Sequence, residues 1–279
     1  MLSITQEKLE FIESFQSKIE KFIPHEFIAV KQKEYFRYCK EQLALNEFLV
    51  ILDFAENYSF VIQNEVQSFH WTNPQCTIFP ICIYFKNNNN ELENISVIIA
   101  ESLKHDYCVV NMFIHKLIDF IKEKFSIIEK IYFSSDGAAS QFKNKTNFYH
   151  LRQFERKFGF KAEWHFFATS HGKGPCDAIG GTVKRLARKA SLQRPFSDQI
   201  TDAKKLFEWT KECHSIIEYF FFSENNYKKH VENFQQSEMN KLKTISGTQL
   251  LHVYIPINDK EIKTKVYSFS TESKICKLL

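Results

Sequence analysis

Three continuous hydrophobic runs stand out in the first hundred residues of the chain. They read EFLVILDF (47–54), TIFPICIYF (77–85) and ENISVIIAE (93–101). Short runs of this kind, rich in β-branched and aromatic residues, are typical of strands that are covered on both faces. The KNNNN segment (86–90) between the second and third runs has the chemistry of a hairpin turn. Four consecutive asparagines also fit a repeat expansion in a tolerant loop.

The pattern then changes to alternating helices and strands. Apolar residues recur at helical spacing from Val110 to Phe125, and EKIYFSSD (129–136) follows as a strand. A helix over 146–158, a strand at KAEWHFFATS (161–170) and a helix over 176–190 complete the series. The order β-β-β-α-β-α-β-α predicts an α/β fold in which helices cover a mixed sheet. This order matches the ribonuclease H-like fold, with its mixed five-stranded sheet.

Additional elements flank this core on both sides. Residues 5–43 predict two helices that are separated at Pro24, because proline disrupts a helix interior. A helix at 198–212, a strand or buried run at 216–222 and a strand-like tail from Lys241 follow the core. We therefore predict an N-terminal helical segment (1–46), a ribonuclease H-like catalytic domain (47–192) and a C-terminal helical/β extension (193–279).

Composition limits the class of protein. Of the 279 residues, 44% are hydrophobic, which is enough for a substantial core. The hydrophobic runs are too short to cross a membrane, and the N-terminus lacks the apolar core of a signal peptide. Seven cysteines without a C-x-x-C pair indicate neither a zinc knuckle nor a disulfide framework. We expect an intracellular protein that has no membrane partner.

Basic residues and glycines are concentrated in one part of the chain. The net charge is only +4, but residues 143–189 contain eleven lysines and arginines and three acidic residues. Six of the seven glycines lie between Gly137 and Gly181. A local basic field is typical of proteins that bind a phosphate backbone, and glycine allows close approach to a ligand or another element. We expect DNA as the partner, a nuclear location, and a homodimer as an alternative to a monomer.

Three aspartates follow the predicted elements at informative places. Asp53 ends the first strand, Asp136 ends the fourth, and Asp177 opens the helix at 176–190. If the first and fourth strands are parallel neighbours, Asp53 and Asp136 meet at one sheet edge. Such a carboxylate cluster suits Mg²⁺ or Mn²⁺, and two ions can promote phosphodiester cleavage. The alternative is that each aspartate is an ordinary turn or cap residue, and Asp177 could cap its own helix.

Glu56 is a further acidic candidate near Asp53. Exonucleases of this fold carry an acid two residues after the first aspartate, but here the spacing is three and Ala55 occupies the expected position. On a strand, that spacing places Asp53 and Glu56 on opposite faces. The exonuclease hypothesis is therefore weaker, and Glu56 is a candidate only for support around the metal.

Four segments carry a resemblance to a known group of proteins. They read DFAENYS, QNEVQSFHW, SDGAASQFKNK and HGKGPCDAIGGTVKR. Together they resemble transposon-derived proteins related to DDE/D transposases and integrases of the ribonuclease H-like superfamily, over roughly Phe48 to Leu192. The resemblance implies that Asp53, Asp136 and Asp177 are catalytic and bind the metal. Such transposases usually carry an N-terminal DNA-binding module, and residues 1–46 offer no metal-ligand spacing.

Supporting residues surround the three acids along the sequence. His171 is a candidate metal ligand or proton shuttle, and Gly172 and Gly174 allow the backbone to pass close to the site. Gly180 and Gly181 allow their helix to pack closely on the sheet, and Cys176 reads as a packed thiol. His70 and Trp71 could stack on a base. The residues expected to bind nucleic acid are Lys143, Lys145, Lys173, Lys184, Arg185 and Arg188.

These observations favour a transposase-like enzyme that cleaves DNA and transfers strands with the help of divalent metal. The alternative is a domesticated, catalytically silent protein that keeps the fold for DNA binding or for interaction with other proteins. A nuclease acting on RNA in hybrids is a third possibility. Substrate preference and the effect of removing one carboxylate distinguish the three.

Overall fold

The computed structural model describes residues 7–62, 74–101, 105–168, 174–213, 216–233 and 242–278. Seven α-helices lie in these ranges: α1 (Lys8–Gln42), α2 (Tyr107–Lys124), α3 (Lys145–Arg152), α4 (Phe154–Phe158), α5 (Pro175–Gln193), α6 (Ala203–Glu212) and α7 (Glu224–Asn233). Ten strands accompany them: β1 (Glu47–Leu52), β2 (Tyr58–Ser59), β3 (Gln75–Lys86), β4 (Leu92–Glu101), β5 (Lys130–Ser135), β6 (Lys161–Phe166), β7 (Ile217–Phe221), β8 (Val253–Pro256), β9 (Glu261–Lys265) and β10 (Lys274–Lys277).

The strands form one mixed sheet in the order β10-β9-β8-β6-β5-β1-β3-β4-β7, with β2 paired to β3. The five strands predicted for the core are all present and adjacent. β3 runs antiparallel to β1 and β4, whereas β1, β5 and β6 are parallel. The prediction of a mixed α/β fold is confirmed. The sheet is wider than the five strands predicted, because β7 extends one edge and β8, β9 and β10 extend the other.

Helices cover both faces of the sheet, which explains the continuous hydrophobic runs. Phe48, Val50 and Leu52 of β1 join the large core cluster that contains α2 and α3. Leu49 and Ile51 point to the opposite face, where α1 and α5 contribute buried cysteines to two smaller clusters. Side chains of α5 and α6 form a further cluster with β3 and β4. Every residue of β1 after Glu47 is therefore buried.

The predicted hairpin at the asparagine run is confirmed. Asn87 stabilises the turn, because its side-chain Oδ1 accepts hydrogen bonds from the backbone N–H groups of Asn89 and Glu91, each at 2.9 Å. Asn90 adopts the left-handed conformation with φ of 62°, which asparagine tolerates better than most residues.

The predicted break at Pro24 is wrong, because α1 is a single helix with Pro24 inside it. Proline removes one N–H donor and crowds the carbonyl of residue 20. All residues from 15 to 24 are exposed, so solvent can hydrogen-bond the freed carbonyl. Within the described ranges, no helix has the length and apolar content needed to cross a membrane.

Candidate functional site

Asp53 and Asp136 lie side by side at the carboxyl ends of two neighbouring parallel strands. The β1–β5 register pairs Ile51 with Ser134, and its continuation by two residues brings Asp53 opposite Asp136. Adjacent strands are about 4.8 Å apart. The topology therefore brings Asp53 and Asp136 to the same edge of the sheet.

The surroundings of Asp53 disfavour the charged form of its carboxylate. Burial, and after it the negative charges of Asp136 and Asp177, raise the pKa of Asp53 from an ordinary value of 3.8 to about 7. A hydrogen bond from the backbone N–H of Phe54, at 2.8 Å, opposes this rise. Asp136 accepts a comparable bond from the N–H of Ala138 at 3.1 Å. The three aspartates therefore share one electrostatic environment.

Close packing of α5 brings Asp177 to this edge. A Cβ atom at Gly180 would lie 3.2 Å from the Cβ of Ala55 and 3.6 Å from Cγ of Pro80, so only glycine fits without displacement. Cys176 is buried, and its Sγ lies 3.6 Å from the carbonyl oxygen of Ile51. The predicted close approach at Gly180 and the packed thiol at Cys176 are both confirmed. Gly181 faces open space and does not contribute to the close approach.

Asp177 also caps its own helix, as the simpler alternative expected. Its Oδ2 accepts a hydrogen bond from the backbone N–H of Gly174 at 3.1 Å, and its side chain is exposed. Within the described ranges, no three His, Cys, Asp or Glu side chains lie close enough together to hold a metal ion. Asp177 therefore contributes charge at the site while its carboxylate is hydrogen-bonded at the helix N-terminus.

Lys143 is buried behind Asp136 instead of projecting into solvent. Only 8% of its surface is exposed, and its Nζ lies 5.2 Å from the centre of the Phe166 ring. Burial lowers the pKa of Lys143 to about 8, although the neighbouring Asp136 carboxylate favours its charged form. The sequence indicated a surface residue for phosphate binding. The structure instead makes Lys143 a buried counter-charge to Asp136.

Basic side chains continue from Asp177 along α5. Lys184 and Arg188 follow it at seven and eleven residues, so the three lie on one line of the helix, about 16 Å long. The Lys184 ammonium interacts with Glu56 and Asp177, and Arg188 with Tyr58. Arg185 is exposed beside this line. Of the predicted nucleic-acid-binding residues, Lys184, Arg185 and Arg188 together form one basic face of α5.

Three of the remaining candidate residues, Glu56, Lys145 and Gly174, lie in the part of the chain that the structure describes. Glu56 is exposed and pairs electrostatically with Lys184. Lys145 begins α3, and its Nζ donates to the carbonyl oxygen of Leu242 at 3.4 Å, away from α5. Gly174 precedes α5 and donates to Asp177. The candidates outside the described residues are His70, Trp71, His171, Gly172 and Lys173.

A buried ionic cluster on β6 was missed by sequence reasoning. Glu163 lies 2.8 Å from Nζ of Lys130 and 2.9 Å from Nε2 of His165, and Nδ1 of His165 lies 2.8 Å from Oγ of Ser268. Burial opposes the charge on Glu163, but the His165 hydrogen bond and Lys130 together lower its pKa to about 2. The available signal was the alternation along β6, where polar residues at 161, 163 and 165 alternate with apolar ones.

One family model, described as a domain of unknown function (DUF8701), matches residues 32–268. The chain belongs to the DUF8701 family. The DUF8701 match includes all three aspartates, Lys143 and the basic face of α5. No curated protein and no solved structure matches the chain.

Proposed function

We propose that this DUF8701 protein is a nuclease or strand transferase of the DDE/D transposase type, acting on DNA through Asp53, Asp136 and Asp177. The observation that carries the proposal is the in-register placement of Asp53 and Asp136, coupled electrostatically to Asp177. Perturbed carboxylates at the carboxyl edge of an α/β sheet are typical of catalytic sites.

The topology supports a ribonuclease H-like core within the larger sheet. The five central strands lie in the order β4-β3-β1-β5-β6, and β3 alone is antiparallel to the rest. The helices α2 and α3 connect the strands in the predicted sequence, and α5 follows β6. We propose that β7 and β8–β10 are additions to this core.

Divalent metal suits the two adjacent aspartates. Mg²⁺ and Mn²⁺ prefer carboxylate oxygens, and a double positive charge would relieve the repulsion that raises the pKa of Asp53. When bound, such ions would activate an attacking water or hydroxyl and stabilise the leaving oxygen. Asp53 and Asp136 would hold the ions, and Asp177 would join them after releasing the N–H of Gly174.

The other residues have separate proposed roles. Lys143 supplies a buried positive charge next to Asp136, whose carboxylate favours the charged form of the lysine. Lys184 and Arg188 bind successive phosphates of a strand that runs along α5, and Arg185 adds to the same field. Substrate phosphate would thus be held next to the three carboxylates.

A cleavage assay tests the proposal. Purified protein is incubated with labelled single-stranded DNA, duplex DNA and RNA–DNA hybrid in the presence of Mn²⁺. We expect nicking of DNA by the wild type, and loss of nicking in Asp136→Asn. Asp119→Asn, an exposed acid on α2, is the matched control and should cleave normally. Equal cleavage by wild type and Asp136→Asn would contradict the proposal.

A catalytically silent nucleic-acid-binding protein is the second candidate. It is favoured by the hydrogen bond that holds Asp177 at its helix terminus, and by the lack of a three-acid metal group among the described residues. This candidate predicts salt-dependent DNA binding that Asp53→Asn leaves unchanged, with no cleavage of any substrate. The basic face of α5 serves both functions.

A further inference from the structure

The first half of α1 carries an apolar stripe that the rest of the described chain does not cover. Its seven side chains keep between 37% and 74% of their surface exposed. On a regular helix they span an arc of roughly 160°. We define the stripe by these residues: Leu9, Phe11, Ile12, Phe15, Ile19, Phe22 and Ile23.

The stripe faces away from the surface through which α1 joins the sheet. Gln32 and Cys39, in the second half of α1, are buried. Gln32 Nε2 donates to the carbonyl of Phe166, and its Oε1 accepts from the N–H of Ser268, each at 2.8 Å. Ala29 is buried as well. At 100° per residue, the arc formed by the three buried residues is centred roughly 120° around the helix from the centre of the stripe, and Ala29 lies at the edge of the stripe. If α1 is straight, most of the stripe therefore cannot pack against the sheet of the same chain.

The exposed area is of the size that a dimer interface requires. If each stripe side chain has roughly 200 Å² of surface and about half is exposed, the stripe presents roughly 750 Å² per chain. A stable protein interface buries about 800 Å² per partner. Soluble monomers rarely leave a patch of this size uncovered.

The charges at the edges of the stripe indicate a second copy of this chain as the partner. In the turns from 13 to 21, Lys18 borders one edge, with Lys21 beyond it, and Glu20 borders the other, with Glu13 beyond it. At the start of the helix, Glu7 lies on the basic edge and Lys8 lies within the stripe, so the pattern is carried by the later turns. Gln16 donates to the Glu20 carboxylate at 3.3 Å, which holds that carboxylate along the stripe. In two parallel helices related by a twofold axis, the basic edge of one faces the acidic edge of the other. An antiparallel pair would bring like charges together.

The same charges disfavour a membrane as the partner. Residues 7–23 contain four glutamates and three lysines, so the segment lacks the positive excess that attracts anionic lipid. We propose that the stripe is a homodimerisation surface, through which two copies of this chain pair their α1 helices in parallel. This inference is independent of the proposed catalytic function.

Sedimentation velocity on the full chain, from about 1 to 100 μM, tests the inference. We expect the 33.1 kDa chain to associate into a dimer across this range. Ile19→Glu should weaken association by at least about tenfold, because it buries an unpaired charge in the interface. Ser17→Glu, on the polar side of the same helix, is the matched control and should associate like the wild type. Circular dichroism checks that both variants keep their helix content.

The parallel arrangement has its own test. Lys18→Glu should loosen the dimer, and the double variant Lys18→Glu/Glu20→Lys should restore it, because the exchanged charges again face each other. An antiparallel pair would show neither effect. A wild type that stays monomeric at about 100 μM, or Ile19→Glu that dimerises normally, would overturn the inference. Flotation with phosphatidylserine vesicles without self-association would instead assign the stripe to lipid and would also overturn it.

Discussion

Replacement of Asp53 by asparagine should stabilise the metal-free protein at alkaline pH. The carboxyl of Asp53 is half-buried and faces two other aspartates, so its pKa rises to about 7 from an ordinary value of 3.8. Asparagine has nearly the same shape, carries no charge and can still accept the N–H of Phe54. The variant therefore removes the repulsion while keeping the local hydrogen bond.

The magnitude follows from the size of the shift. About three pKa units correspond to about 4 kcal/mol, which is an upper limit because the side chain is partly exposed to solvent. The folded chain binds this proton more tightly than the unfolded chain. Wild-type stability should therefore fall as pH rises from about 4 to about 7, and this contribution should then level off. At pH 8 we expect Asp53→Asn to gain about 2–4 kcal/mol in free energy of unfolding.

Urea denaturation with a chelator, at pH 5 and at pH 8, measures the effect. The gain at pH 5 should be less than about half of the gain at pH 8, because only the first part of the loss between about pH 4 and about pH 7 has then occurred. At pH 8, Mg²⁺ should narrow the difference in stability between variant and wild type by stabilising the wild type. Asp119→Asn, at an exposed position of α2, should show none of these changes. If Asp53→Asn has the same stability as wild type at pH 8, or the same gain at both pH values, the electrostatic coupling of the three aspartates is refuted.

Three further predictions concern packing and buried charge. Gly180→Val should lower the free energy of unfolding by about 1–3 kcal/mol, because even a Cβ at this position approaches Ala55 to 3.2 Å. Gly181→Ala should instead raise it by about 0.5–1 kcal/mol, because alanine has the higher helix propensity and the position faces open space. Glu163→Gln should cost about 3 kcal/mol at pH 7, because it leaves a partly buried ammonium without its counter-charge. Burial, and after it the positive charge of neighbouring side chains, lowers the pKa of His150 from 6.5 to about 3, so the folded chain disfavours its protonation. Wild-type stability should therefore fall as pH drops below about 6.5, and His150→Gln should flatten that loss.

Thermal and urea unfolding measure all three effects. Equal stability of Gly180→Val and wild type would contradict the close packing of α5. The ionic cluster on β6 would be contradicted if Glu163→Gln unfolded at the wild-type urea concentration at pH 7. For His150, an unchanged pH profile of the variant between about 6.5 and 4 would count against its buried, neutral state.

The sequence predicted the centre of the fold because local signals agreed there. Continuous apolar runs fixed β1, β3, β4 and β5 as buried strands, and the pairing of β1 with β5 then followed from element order. The positions of Asp53 and Asp136 depend only on that pairing. The short strands β8, β9 and β10 lack such runs, and their place beside β6 depends on long-range contacts that no local pattern records.

Other features depend on tertiary surroundings and could not be predicted. Lys143 looks like a surface cation in sequence, but its neighbours Phe166 and Asp136 bury and pair it. Pro24 normally ends a helix, yet α1 continues through it where the chain is exposed. Asp177 caps α5 through the N–H of Gly174, and its charge also acts on Asp53. The sequence offered these two roles as alternatives, whereas the structure shows that one side chain has both.

The most direct test of the central claim is a Mn²⁺ binding titration followed by electron paramagnetic resonance. The claim is that Asp53, Asp136 and Asp177 belong to one divalent-cation site. Wild type and Asp119→Asn should bind Mn²⁺ with the same affinity, and Asp53→Asn and Asp136→Asn should each weaken binding by about tenfold or more. Equal Mn²⁺ binding by all four proteins, or no binding by the wild type, would contradict the account.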